Sequence, residues 1–160
     1  MPNFVFSSSC SVYGNATDLP VEETAPLAEP QSPYARTKQI GEAMCRDFLN
    51  QYKDANISLL RYFNPVGAHP SAIIGERQPK AENLVPVITQ TAIGKLPQMQ
   101  VFGSDYPTRD GSCVRDYIHV MDIANAHTKA LQHLLAGRNK DKCEVFNLGT
   151  GNGAVSYTHL

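Results

Sequence analysis

An α/β fold built on a parallel sheet is predicted by two buried strand-like runs, the single helix between them, and the chain length that joins the three. Asn3-Phe-Val-Phe-Ser-Ser8 is short, rich in Phe and Val, and lacks the alternation of a half-exposed strand, so it reads as a buried strand. Ile57-Ser-Leu-Leu-Arg-Tyr-Phe63 is the second. Strand, helix and strand within about sixty residues make a βαβ unit, whose crossover is right-handed and whose strands are parallel. A buried parallel strand at the very start has no preceding neighbour, so the chain reads as a piece cut from mid-sheet.

The elements follow in order. Val12 to Gln31 carries Gly14, Asn15 and several prolines, which suits a surface loop. Ser32 then reads as an N-cap and Pro33 as the first residue of a helix that runs to about Tyr52. Its inward stripe is expected at Ile40, Ala43, Met44, Phe48 and Cys45, with Glu42, Arg46, Asp47 and Lys53 facing water. After the second strand, Asn64-Pro65 stops the ladder. Gly67 to Glu82 is irregular, and Asn83 is expected to cap a helix with Leu84, Val87, Ile88, Thr91 and Ala92 that ends at Gly94. Gln100-Val-Phe102 is predicted as a short strand, Val114-Arg-Asp-Tyr-Ile-His119 as another. A helix from Val120 to about Ala136 turns Ala126, Ala130, Leu131 and Leu134 to the core before Gly137, and Cys143 to Leu148 is the last strand.

Composition removes several classes of function. The 160 residues are 42% hydrophobic and 18% charged, enough for one domain with a core. Fourteen Lys and Arg against fifteen Asp and Glu leave a net charge of -1, so there is no basic footprint for nucleic acid or an acidic membrane surface. No apolar run approaches the ~20 residues of a membrane span, and Met-Pro-Asn-Phe lacks the features of a signal peptide, so a cytoplasmic protein is expected. Cys10, Cys45, Cys113 and Cys143 form no CxxC pair and are read as reduced thiols. His119, His127 and His133 lack the spacing of a helical metal site. No metal is predicted.

Ser9, Tyr34 and Lys38 carry the chemistry. Tyr34 and Lys38 stand four apart and share a helix face, where an ammonium beside a phenol favours the phenolate. Ser9 closes the first strand, at the end where open parallel sheets bind ligands. A Tyr and a Lys at this spacing also fit a solvated face, and what sets this pair apart is the helix start immediately before it. Gly149-Thr-Gly-Asn-Gly153 follows a strand but lacks the spacing of a dinucleotide fingerprint and a following helix, so it is read as a structural turn.

Four runs occur in order: Ser-Ser-Ser9-Cys-Ser-Val-Tyr-Gly14, Ser32-Pro-Tyr34-Ala-Arg-Thr-Lys38, Leu60-Arg-Tyr-Phe-Asn-Pro-Val-Gly-Ala-His-Pro70 and Val114-Arg-Asp-Tyr-Ile-His-Val120. Together they closely resemble the UDP-glucose 4-epimerases, members of the extended short-chain dehydrogenases, over roughly residues 1 to 153. The resemblance implies part of a Rossmann-like doubly wound parallel sheet with portions of a smaller substrate-binding domain. Residues 1–64 would be the end of the NAD-binding domain, 65–153 mixed substrate-binding and remaining sheet segments, and 154–160 a tail outside the family pattern.

It further implies bound NAD, a UDP-hexose substrate, inversion at carbon 4 through a 4-keto sugar, and a homodimer for the full-length protein. Tyr34 would be the base, Lys38 its electrostatic partner and a ribose contact, and Ser9 the hydroxyl orienting the substrate oxygen. Phe63 would lie on the nicotinamide side. Asn64, Asn83, Leu84, Gln100, Val101, Phe102 and Arg115 would bind the sugar nucleotide, with Arg115 serving the diphosphate. Three departures stand beside these matches. The glycine-rich NAD fingerprint is absent, Glu76 to Asn83 differs from the usual pattern around the first amide contact, and Ala154 to Leu160 does not continue the family sequence. A 4,6-dehydratase is the rival enzyme, but Cys10 and Ser11 stand where those enzymes carry Asp-Glu. A silent chain that only binds sugar nucleotides is the rival of another class.

Overall fold

The computed structural model describes residues 2–76, 78 and 80–155. In chain order the elements are β1 (Asn3–Ser9), α1 (Pro33–Gln51), β2 (Asn56–Tyr62), β3 (Asn64–Val66), α2 (Leu84–Ala92), β4 (Val114–Arg115), β5 (Tyr117–His119), α3 (Val120–Leu135), β6 (Cys143–Leu148) and β7 (Ala154–Val155). β1, β2 and β6 form a parallel sheet in the order β1-β2-β6, in register from Asn3 opposite Asn56 to Ser9 opposite Tyr62. Two smaller pairings stand apart, β3 with β5 in parallel and β4 with β7 antiparallel. Strand, helix and parallel strand appear where the sequence predicted them.

Side chains alternate across the sheet, and the two faces hold different helices. On one face Ser8 reaches Glu42 of α1, and Gly41 lies so close to the Phe6 ring that a β-carbon there would come within 2.3 Å of it. On the other face Ser7 reaches His127 of α3. The apolar core under α1 joins Cys45, Ile57 and Leu59 to Phe6, Leu49, Cys143 and Val145. β2 is the most buried strand because it has a neighbour on each side and a helix on each face.

The orientation of α1 corrects the apolar-stripe expectation. Ala35, Glu42 and Cys45 are buried, whereas Ile40, Met44 and Phe48 are exposed by 51%, 65% and 41%. The cause is Arg61 of β2, itself buried beneath α1. Its Nε and Nη2 donate to the two oxygens of Glu42 at 2.8 and 2.7 Å, a bidentate pair that fixes which face of α1 turns inward. An unpaired guanidinium at that depth would cost more than exposing three apolar side chains.

Other expectations need adjusting. Val114–His119 is not one strand, because the ladder breaks at Asp116 and its two halves pair with different partners. Gln100-Val-Phe102 is irregular, with Phe102 82% exposed, and pairs with no strand among the described residues. Leu131 is exposed, the buried line of α3 running instead through Ala130 and Leu134. Gly137 takes a φ of 63° just after that helix, as a terminating glycine should. Ala154 and Val155 pair with β4, while His159 and the rest of the tail lie outside the described residues. No helix of the described residues is long and apolar enough to cross a membrane.

Burial pushes the Glu42 carboxyl up, but hydrogen bonds from Arg61 and Ser8 and the nearby charges of Arg61 and Arg46 outweigh it and hold the group below its ordinary value. A carboxyl depressed in the folded state adds stability above its unfolded pKa of ~4.3, and that stability is lost as pH falls through the folded value. Arg61→Met should lower the unfolding free energy by about 3–5 kcal/mol by stranding Glu42, and Arg61→Met/Glu42→Met should recover part of it. Urea unfolding of the three proteins checks this. Equal loss in single and double variants would show that the pair does not act as a unit.

Candidate active site

The candidate site is the carboxyl ends of β1 and β2, the end at which an open parallel sheet receives ligands. β1 ends in a 3₁₀ turn over Cys10–Tyr13, and Ser9 caps it by accepting the Ser11 N–H at Oγ, 3.2 Å. The Ser9 side chain is thereby fixed, buried, and still able to donate its hydroxyl proton.

Ser32 and Pro33 start α1 as predicted, the Ser32 Oγ accepting from the Ala35 N–H at 3.1 Å. Tyr34 follows at once and is 54% exposed. One turn on, Lys38 holds its Nζ 5.4 Å from the centre of the Tyr34 ring and 5.6 Å from that of Phe6. The same Nζ donates to the Ser7 carbonyl at 2.8 Å. Ser7 is two residues before Ser9, so the ammonium, with the phenol ring beside it, is anchored near the end of the strand that Ser9 closes.

The other predicted residues divide into two groups. Phe63 continues the sheet through a backbone bond to Leu148 at 3.1 Å, and its ring lies against Gly149. Asn64 gives both its backbone N–H and its Nδ2 to the Asp116 carbonyl, each at 2.9 Å. Arg115 of β4 is exposed and lies near Cys10, the residue after Ser9. Burial pushes the Cys10 thiol up, and Arg115 pulls it part of the way back. These residues flank the candidate site. Asn83 and Leu84 begin α2, and Gln100, Val101 and Phe102 follow it. No hydrogen bond among the described residues ties these five to Ser9, Tyr34 or Lys38. Asn83 stands at the N-cap position but makes no side-chain cap bond, and its Nδ2 donates to Glu76 at 3.3 Å.

Sequence reasoning missed Ser7, Tyr62, His127 and Asp116. The Tyr62 hydroxyl donates to the Ser7 Oγ at 2.6 Å and lies 2.7 Å from His127 Nε2. Burial pushes the Tyr62 phenol up, the bond to Ser7 pulls it down, and Tyr34 pushes it up again. The histidines thus have structural partners, His133 pairing with Glu144 at 2.7 Å and His119 capping α3. The glycine turn after β6 binds an anion from within: the Asp116 carboxylate accepts the Thr150 and Gly151 amides at 2.9 Å and the Thr150 hydroxyl at 2.6 Å. Its donors are spent on the fold, consistent with a structural turn. Only the adjacency of Asp116 to Arg115 in sequence could have signalled it.

Comparison with known proteins decides the family: residues 1–149 match the NAD dependent epimerase/dehydratase family. The chain belongs to that family. Among this epimerase/dehydratase chain's relatives, UDP-glucose 4-epimerase 2 of Arabidopsis thaliana is 51% identical over 152 residues, covering 94% of this chain and 43% of that protein. UDP-glucose 4-epimerase of Pasteurella multocida is 48% identical over 153 residues, 94% of this chain and 44% of that one. A crystal structure of UDP-glucose-4-epimerase from Stenotrophomonas maltophila, with bound NAD and formylated UDP-arabinopyranose, superposes with a TM-score of 0.89 at 51% identity, covering 97% of this chain and 45% of that one. The enzyme from Bifidobacterium longum, in complex with NAD+ and UDP, gives 0.87 at 42% identity, covering 96% and 45%. The present epimerase/dehydratase chain therefore spans less than half the length of these relatives.

Arg115→Met should raise the pH at which Cys10 is alkylated by iodoacetamide, since a cation that favours the thiolate is lost. Peptide mass spectrometry across pH reads it. An unchanged midpoint would place the guanidinium elsewhere.

Proposed function

We propose that this chain carries the catalytic centre of a UDP-glucose 4-epimerase, interconverting UDP-galactose and UDP-glucose. The observation that carries this reading is the Lys38 ammonium, fixed by the main-chain carbonyl of Ser7 on the strand that Ser9 closes and set over the Tyr34 ring. The protein would serve galactose metabolism in the cytoplasm, as a homodimer.

The residues fit the nicotinamide-ribose end of NAD. Among the described residues Lys38 spends one of its three donors, on Ser7, and Tyr34 is exposed, while the glycine turn offers no phosphate cradle because Asp116 fills it. Lys38 and Tyr34 would hold that end, with Ser9 and Phe63 beside it. NAD, when bound, supplies a hydride acceptor that later returns the hydride to carbon 4 of the hexose.

The chain's own residues supply the rest. Tyr34 takes the proton of the 4-hydroxyl as carbon 4 is oxidised, and Lys38 stabilises the phenolate that does so. Ser9 donates to the oxygen on carbon 4 and holds it against Tyr34. After the 4-keto sugar turns over in the site, Tyr34 returns the proton and the stereocentre is inverted. Asn64 and Arg115 are the sugar-nucleotide contacts nearest this centre, Arg115 offering a permanently charged fork to the diphosphate. A 4,6-dehydratase would need a further acid and base after Ser9. Cys10 there is a half-buried thiol that burial pushes up, and the Ser11 Oγ is buried without a partner among the described residues.

The test replaces the matched segment of the Arabidopsis relative with this chain and supplies UDP-galactose and NAD. Formation of UDP-glucose is expected, and a folded chimera that makes none would refute the reading. In the same chimera Tyr34→Phe should lower kcat by about 10²- to 10⁴-fold and leave UDP affinity within about threefold, because the lost group acts in the transition state. Equal loss of both would make Tyr34 structural.

A further inference from the structure

We propose that Asp116 is a positioning residue for the substrate diphosphate, holding Arg115 and Asn64 in place without touching the ligand. The inference rests on the reading of those two residues given under Proposed function. A carboxylate beside a diphosphate-binding arginine should harm the site twice over, by pairing with the guanidinium and by repelling the anion. The pairing does not occur here, because the Asp116 carboxylate is hydrogen-bonded from another direction. Three donors from the turn after β6 converge on its two oxygens: the Thr150 N–H, the Gly151 N–H and the Thr150 hydroxyl, at 2.6–2.9 Å. Such consecutive amides form an anion cradle. With the Asp116 oxygens bonded there, Arg115 has no ion pair among the described residues.

The position of Arg115 follows from the same residue. Asp116 is where the extended segment leaves one sheet for another, β4 pairing with β7 and β5 with β3. Fixing its carboxylate fixes that break, and hence the direction from which Arg115 leaves β4. Its carbonyl meanwhile takes both N–H groups of Asn64, so one residue orients both contacts. Gly149 makes the arrangement possible. A β-carbon there would fall 2.5 Å from Asp116 Oδ2, so the turn must have glycine at that point.

Two readouts test this. In the 160-residue chain, Asp116→Ala should shift the Thr150 and Gly151 amide resonances, and added acetate should restore them by refilling the cradle. In the chimera described above, Asp116→Ala should weaken UDP binding about tenfold or more with kcat changed less than about threefold, and acetate should recover much of the affinity. Gly149→Ala, which displaces the carboxylate without removing it, should weaken UDP binding similarly but without acetate rescue. Wild-type UDP affinity in Asp116→Ala, or a loss that acetate leaves untouched, would overturn the inference alone. Failure of the unsubstituted chimera to bind UDP would overturn it together with the functional reading beneath it.

Discussion

Arg61 is the constraint around which this chain is arranged. It stands on the most buried strand, and a guanidinium cannot lose its proton to escape the cost of burial. Everything it touches is therefore specified. Glu42 supplies two oxygens, the Tyr13 hydroxyl accepts at 2.7 Å, and Tyr13 passes a bond on to Asn147 of β6 at 2.7 Å. Ser8 completes the Glu42 carboxylate at 2.6 Å. One buried charge thus ties β1, the 3₁₀ turn, α1, β2 and β6 together. Since Tyr34 and Lys38 ride on α1, the rotation of the helix that satisfies Glu42 also sets where the phenol and ammonium point.

How far the sequence could be read follows from what each signal depends on. The parallel strands, the start of α1 at Ser32-Pro33 and the glycine after α3 were legible because their causes are local: apolar runs, a cap, a positive φ. The placing of Tyr34 and Lys38 one turn apart on α1 was legible for the same reason, as a spacing on a helix whose start was marked. The face of α1 was not, because an apolar stripe is a statement about averages and the decisive partner lies 19 residues away on another element. Asp116 was invisible for a related reason. Its importance comes from amides 34 and 35 residues further on, and backbone donors leave no mark in a sequence.

The two sides of the site are held in different ways. On the β1 side the groups sit on regular elements whose geometry repeats, so the trio is placed by the helix and strand themselves. On the opposite side Asn64 and Arg115 stand on strands of two or three residues, too short to hold direction by pairing alone. Side-chain to main-chain bonds take over that work. Asn64, little secured by secondary structure, leans instead on one main-chain carbonyl, that of Asp116.

Lys38 is gripped by a carbonyl of the peptide backbone and not by a side chain. A carbonyl within a strand is present whatever amino acid occupies position 7, so the hold on the ammonium survives replacement of that residue. The Ser7 hydroxyl is correspondingly free to serve Tyr62 and His127 on the other face of the sheet. Mutational drift at position 7 would thus reach the α3 side of the molecule while sparing the lysine.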